Sequence, residues 1–428
     1  MSASTTATFG WRNGLAYGLL GLPLAFVALP LYVILPNHYA REFGVPLATL
    51  GAILLGARLF DAFIDPLLGR LSDRLFARSP SAVLKLGALA AVVLALGFAL
   101  LFFPQVKTPA TLIAWASVML MVTYAAYSFL SVSHQSWGAM LGGNEAERSR
   151  IVAWREALGL VGVVMASITP VALGLPATTA LFYVALVLGW LAWTRAQPPV
   201  AKKDSAMLPS ALWLPFKHSI FKRLRRVFML NGTASAVPAT LVLFFIQDRL
   251  QAPSSQEPLF LGSYFLTAAL SIPLWLAVVK RVGLAKAWLM GMALSIAVFA
   301  WATQIGSGQT VAFLIICALS GVALGTDLAL PGAMLAGVIQ SNGDSGRAEG
   351  AYFGWWNFAI KLNLALAAGL ALPLLGVFGY APGVRSPEAL NALVIAYCVL
   401  PCALKLAAST GLYFLIIQPS HRTLEAAA

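Results

Sequence analysis

The sequence predicts an all-α membrane protein with twelve transmembrane helices in two six-helix halves. Three observations predict it. Of the 428 residues, 60% are hydrophobic and only 10% are charged, and the mean hydropathy is +0.84, so a water-soluble domain would have far too little polar surface. Apolar runs long enough to cross a bilayer, which takes roughly 20 helical residues, recur along the whole chain. A polar, basic stretch near the middle separates the first six runs from the last six.

The expected spans are 11–36, 46–69, 82–104, 109–140, 151–174, 177–195, 227–248, 258–279, 285–304, 309–340, 350–379 and 389–418. Those at 109–140, 309–340 and 389–418 are longer than one crossing needs, yet none holds a polar break that would divide it. The opening stretch MSASTTATFGWRNG lacks a basic start joined to a short apolar core and cleavage site, so it reads as retained. Cys317, Cys398 and Cys402 all sit in apolar runs, which argues against a disulfide framework, and their spacing fits no metal or catalytic motif.

Basic residues set the expected orientation. One side carries Arg12, the group Arg70, Arg74, Arg78 and Lys85, the group Arg148, Arg150 and Arg155, a dense set from Arg195 to Arg226, then Lys280, Arg281, Lys286, Arg347 and Arg422. The other side has Arg41, Lys107, Arg249 and Arg385. The positive-inside rule makes both termini and the central loop cytoplasmic, in a multi-pass protein of the inner (plasma) membrane. The net charge of +13 then follows from topology and from attraction to anionic headgroups. Nucleic acid is not implied, because the basic residues are spread over several loops with no binding motif.

The expected domains are residues 1–195, a central loop at 196–226, and residues 227–428. Within the loop, a polar linker precedes a possible short amphipathic helix with Leu212, Trp213, Leu214 and Phe216 toward lipid beside Lys217 and Lys222. A weak repeat crosses the join: DPLLGRLSDRL at 65–75 lies over IPLWLAVVKRV at 272–282, each with a basic residue eight positions after its proline. Two six-span halves, each with a basic loop after its second span, match the plan of a major facilitator transporter, whose solute binds near the midplane.

The chemistry-bearing stretch is GARLFDAFIDPLLGRLSDR. It places Arg58, Asp61 and Asp65 on one helical face inside an apolar span, with Pro66 following. A charge at membrane depth costs about 3 kcal/mol on insertion scales, so such groups face a bundle interior or a wet cavity. A structural ion pair and an ion or substrate pathway are the two explanations. The second is favoured, because a self-neutralising pair is replaceable by leucines. Two carboxylates four residues apart repel when both are charged, which favours a proton or a monovalent metal cation that relieves the repulsion.

At the residue level the chain resembles the glycoside-pentoside-hexuronide:cation symporter family, the melibiose-permease group. Four stretches carry the resemblance: YGLLGLPLAF at 17–26, RLFDAFIDPLLGRLSDR at 58–74, SVSHQSWGAMLGGNEAERSRIVAWRE at 131–156 and GRAEGAYFGWWNFAIKLNLALAAG at 346–369. It implies that Asp61 and Asp65 bind the coupling cation, with Arg58 beside them and Lys361 near the site. It also implies that Tyr127, Ser128 and Ser131 help build the cation and sugar sites, and that Arg155 lies near substrate. Lys361 would then compete for the carboxylates when the ion leaves, or else serve as a permanent salt-bridge partner.

Departures from the family pattern qualify the substrate. Ala25 stands where sugar carriers of the group have an aspartate that holds substrate hydroxyls, Ser131 replaces an acidic residue, and Ile64 replaces an asparagine associated with sodium use. Fewer oxygens tilt the coupling ion slightly toward H+ over Na+. Gly337, Gln340 and Ser341 stand where acidic residues often precede the GRAEG-type loop.

Several other polar residues in the spans have two explanations each. His134 is either a proton relay or substrate group or a hydrogen-bonded interior histidine. Asp327, near Pro331, is the other clearly intramembrane carboxylate and is weighted toward the substrate pathway. Lys405 is expected to snorkel from a lipid-facing position. Asn231, Gln247 and Asn357 could contact solute, and Trp355 and Trp356 could stack on a ring or simply pack helices.

The sequence therefore points to a symporter that imports a small organic solute, with a sugar as the first candidate, by alternating access, with no cofactor beyond H+ or Na+ and working as a monomer. A lipid or lysolipid carrier of the same fold is the alternative, since some animal members of the wider family carry such solutes. A non-transporting receptor or scaffold is the alternative of another class. No nucleophile–base set, phosphate loop or metal cluster suggests an enzyme.

Overall fold

A computed structural model describes residues 9–106, 108–199, 212–380 and 383–419, which hold helices and no strand. The order begins α1 (Trp11–Ala40), α2 (Leu47–Arg78), α3 (Pro80–Phe102) and α4 (Pro109–Met140). The next run, Glu145–Thr194, is two helices, because Gly174 takes φ 78° and ψ 169° and Pro176 brings no amide hydrogen. These are α5 (145–173) and α6 (175–194). Then come α7 (Ser219–Leu250), α8 (Glu257–Val282), α9 (Leu284–Ala302), α10 (Thr310–Ser341), α11 (Glu349–Val377) and α12 (Pro387–Ile417).

Local chemistry explains the starts. Ser79, Thr108 and Ser386 each accept a backbone N–H at the head of α3, α4 and α12, each followed by proline at the first helical position. Asn144 and Glu147 form a reciprocal capping box at the head of α5, with bonds of 3.0 and 3.1 Å.

Two expectations are corrected. Helix α7 begins at Ser219 rather than 227, because Phe221, Leu224 and Val227 repeat at helical spacing and are buried while Lys222, Arg223, Arg225 and Arg226 occupy the turns between. The central amphipathic helix reduces, among the described residues, to a single 3-10 turn at Leu214–Lys217. Phe216 there packs on Phe221 and carries Arg225 over its ring, whereas Trp213 lies against Trp355 with ring centroids 4.8 Å apart. Residues 200–211 of that loop, with Lys202 and Lys203, lie outside the described residues, as do Lys107 and Arg422.

The chain divides into two compact units, Met1–Pro215 with Ala336–Phe358, and Phe216–Leu335 with Ala359–Ala428. The sequence division at 196–226 keeps residues 336–358 in the second half, whereas here they join the first unit.

In the first unit α1 lies directly on α5. A Cβ added at Gly21 would sit 2.6 Å from the carbonyl oxygen of Arg155, and one at Gly162 would sit 2.1 Å from that of Leu22. Thus glycines of the YGLLG stretch permit close helix packing. Phe98 packs on Phe182 and Phe102, and Trp137 on Trp193. The head of α11 crosses α2 just as closely, since a Cβ at Gly69 would lie 2.0 Å from the Gly350 carbonyl oxygen. The Asp73 carboxylate there accepts the Gly350 N–H at 2.6 Å and the Ala351 N–H at 2.9 Å. It meets the unpaired amides and positive dipole end of α11.

In the second unit α12 packs on α7 and α9. Phe245 stacks on Tyr397 and Phe313, with centroids 4.3 and 5.5 Å away. At the end of α7, Asp248 accepts the Tyr380 hydroxyl at 2.5 Å and the Gly383 N–H at 3.1 Å, which fastens the loop between α11 and α12. Burial, reinforced by that carboxylate, pushes the Tyr380 phenol above its usual range and keeps it the donor.

Candidate functional site

Each unit holds a group of ionisable side chains within its helices. In the first, Arg58, Asp61 and Asp65 follow one face of α2, with Asp61 1% and Asp65 0% exposed. Ser128 of α4 donates its hydroxyl to Asp61 Oδ1 at 2.7 Å. The Arg58 guanidinium lies over the ring of Tyr32 on α1, 4.8 Å from its centroid, so an aromatic face engages the cation of this stretch. Tyr32 in turn packs against Tyr124 of α4, with centroids 5.8 Å apart. Tyr32, Tyr124 and Tyr127 all lie close enough to Asp61 to interact with its charge. Three helices thereby bring Tyr32, Arg58, Asp61, Tyr127 and Ser128 together.

The remaining candidates of this unit sit farther along. Ser131 accepts a hydrogen bond from Gln135 at 3.1 Å. His134 is fully buried, and its Nε2 donates to the Tyr17 carbonyl at 2.7 Å while the Tyr17 hydroxyl donates to the His134 carbonyl at 3.1 Å. A carbonyl only accepts, so Nε2 carries a proton. This reciprocal pair ties α1 to α4. Arg155 holds its neighbour Glu156 through Nε at 2.9 Å and Nη2 at 2.5 Å. Trp355 donates its indole N–H to the Leu212 carbonyl at 2.8 Å, so its polar end and one ring face serve the central segment. Trp356 and Asn357 are buried beside it on α11. Lys361, half-buried on the same helix, belongs to the second unit.

The second unit is organised on Asp327 of α10. Its Oδ1 accepts the Asn231 amide and the Trp288 indole N–H, each at 2.9 Å. Its Oδ2 accepts the Ser235 hydroxyl at 3.1 Å and the Lys405 ammonium at 2.9 Å. Lys405 also donates to the Asn231 Oδ1 at 2.8 Å. The snorkelling expectation for Lys405 is thus corrected: it is 5% exposed and points inward, because a carboxylate and an amide oxygen there replace the water its ammonium would otherwise seek. Four helices, α7, α9, α10 and α12, meet at this carboxylate.

Sequence reasoning misassigned Lys405 and singled out neither Asp73 nor Tyr124. The carboxylate in RLSDR is the signal that could have singled out Asp73, whereas nothing local in the sequence pairs Lys405 with Asp327.

Chemically, the first group offers two carboxylates and a hydroxyl, the oxygen donors a proton or a monovalent cation needs. Comparison with known proteins agrees with the fold. The profile described as MFS/sugar transport protein matches residues 14–418. The uncharacterized symporter YjmB of Bacillus subtilis (strain 168) is 24% identical, over 98% of this chain and 95% of its own length. A protein of Salmonella typhimurium named putative sulfoquinovose importer is 26% identical over 96% and 90%. Among solved structures, an outward-facing bacterial homologue of the iron transporter ferroportin superposes with a TM-score of 0.69 at 17% identity, covering 94% of this chain and 98% of that one. The Escherichia coli fucose:proton symporter FucP does so with 0.67 at 14%, covering 94% and 99%. At such identities these structures speak for the fold alone, that of major facilitator transporters, which are not enzymes. With its profile match spanning nearly the whole chain, the protein belongs to the MFS/sugar transport protein family, the glycoside-pentoside-hexuronide transporters of the major facilitator superfamily.

Proposed function

We propose that the chain is a cation-coupled symporter of a sugar or closely related polar solute, working by alternating access in the inner membrane with both termini cytoplasmic. The observation that carries this reading is the buried pair Asp61 and Asp65, with Ser128 donating to the first and Arg58 turned onto Tyr32. Pro66 adds to it. Lacking an N–H, it leaves the carbonyl of Ala62, between the two acids, without its helical donor. A proton or sodium ion bound there removes the repulsion of the pair and changes the field around it, so that loaded states exchange between faces while half-loaded ones do not. Tyr127, Ser131, Arg155, Trp356 and Asn357 are the proposed solute contacts of the first unit, and Lys361 is the proposed coupling residue of the second. The names of the two relatives, a symporter and a putative sulfoquinovose importer, support a sugar-like solute.

The test is thermal stability of the purified protein and uptake into proteoliposomes, in sodium, lithium and potassium over a pH series, for wild type and Asp61→Asn. Sulfoquinovose, D-glucuronate, L-fucose and a lysolipid serve as solutes. A ligand that binds the folded state raises its apparent stability. A sodium- or lithium-specific shift lost in the variant identifies a metal-cation site, and a pH-only shift lost in it identifies a proton site. Stability and uptake indifferent to both ions and pH would defeat ion coupling, and a response to lysolipid alone would defeat the sugar.

A further inference from the structure

The hydroxyl of Tyr124 is 1% exposed as a residue and, among the described residues, has no hydrogen-bond partner. Leaving such a group buried and unpaired costs about 1–3 kcal/mol, so its position calls for an occupant. Tyr124 stands one turn before Ser128 on α4, on the same helical face as the hydroxyl that holds Asp61. Its ring leans on Tyr32, which carries Arg58 on its face. The phenol oxygen therefore lies among the charged groups of the coupling site without being used by any of them.

We infer that Tyr124 is a solute-binding residue whose phenol hydrogen-bonds one hydroxyl of the transported solute and so couples solute occupancy to the Asp61 site. The inference rests on the reading of the chain as a sugar symporter. A phenol both donates and accepts, which suits a sugar hydroxyl better than a metal ion, for which a neutral phenol is a poor ligand. Its place one turn from Ser128 gives solute and ion a shared wall on α4. Occupancy of one then stiffens the helix that forms the other, which is positive coupling between the two ligands.

The test uses purified full-length protein and the conservative variant Tyr124→Phe, with sulfoquinovose, D-glucuronate and L-fucose and their single-deoxy analogues as probes. Three results are expected together. The melting temperature without sugar stays the same or rises, because a hydroxyl with no partner is removed. The sugar concentration that gives half the thermal shift rises roughly five- to tenfold, the worth of one hydrogen bond. One deoxy analogue binds wild type and variant equally, since it lacks the hydroxyl in question.

Each contrary result overturns the inference for a different reason. Equal sugar shifts in wild type and variant dismiss Tyr124 while the sugar reading stands. A lower melting temperature without sugar shows that the phenol already has a structural partner, such as a buried water. An altered sodium or pH response without sugar assigns the hydroxyl to the ion. No shift of wild type by any of the sugars defeats the sugar reading, and this inference with it.

Discussion

The two units hold their intramembrane acids in opposite ways. Asp327 meets four donors from three neighbouring helices, one of them the Lys405 ammonium, and each of its oxygens accepts two. Asp61 and Asp65 lie four residues apart on one helix, and the arginine of their own stretch is spent on the ring of Tyr32. Asp327 is therefore matched within its unit by a cation and three neutral donors, an arrangement that holds a carboxylate in place. Two acids on one helical face repel each other when both are charged, and on the proposed reading binding of an ion relieves that repulsion. Under the coupling proposed above, the difference separates an acid that joins helices from acids that bind a transient ion.

The largest effect expected from this contrast is on transport. Asp61→Asn or Asp65→Asn should lower ion-driven accumulation in proteoliposomes by about 100-fold or more while folding and insertion persist, because removing a buried charge relieves a desolvation cost. Asp327→Asn should give the milder transport loss, with the cation response of the melting curve retained. Full accumulation by either first-unit variant would erase the distinction.

Next in size is stability. Lys405→Met strands the Asp327 carboxylate in a dry site, and breaking a buried pair from one side costs about 3–5 kcal/mol. The double variant Lys405→Met with Asp327→Asn should recover most of that loss, as thermal unfolding in detergent will show. If Lys405→Met alone unfolds like wild type, the pair is not the pin described above.

Asp73 provides an internal control, since it lies on the same helix as the proposed coupling acids but resembles Asp327 in use. Both its oxygens are taken by the N–H groups of Gly350 and Ala351. Asp73→Ala should cost about 1–2 kcal/mol, the usual worth of a lost helix cap. The ion specificity of transport should be unchanged, and a changed specificity would join Asp73 to the coupling site.

How much of this was legible beforehand depends on distance along the chain. The acids of α2 could be read because they interrupt an apolar run, and the break between α5 and α6 because Gly174 and Pro176 stand together. The start of α7 was placed eight residues late, at 227 against Ser219, because hydropathy follows lipid, whereas a helix continues through lysines and arginines as readily as through leucines. Lys405 and Asp327 are 78 residues apart, and no local pattern tells an inward lysine from one that snorkels. Tyr124 carries no sequence signal of its own, because only packing leaves its hydroxyl unpaired among the described residues.

The smallest expected effect is the most discriminating. Ser128→Ala removes one donor to Asp61, worth about 1 kcal/mol or roughly a fivefold change in an equilibrium, and should barely move the melting temperature. Its direction depends on the ion. For sodium, the hydroxyl oxygen is itself a candidate ligand, so its loss should raise the half-saturating sodium concentration. For a proton, the same hydroxyl stabilises the charged carboxylate, so its loss should make Asp61 hold the proton more tightly and move half-saturation to a lower proton concentration. One titration of uptake in the variant, in the ion that drives wild type, therefore gives a rise, a fall or no change. No change would mean that the 2.7 Å contact plays no part in ion binding, and the Ser128 hydroxyl would then serve Asp61 only as that of Ser235 serves Asp327.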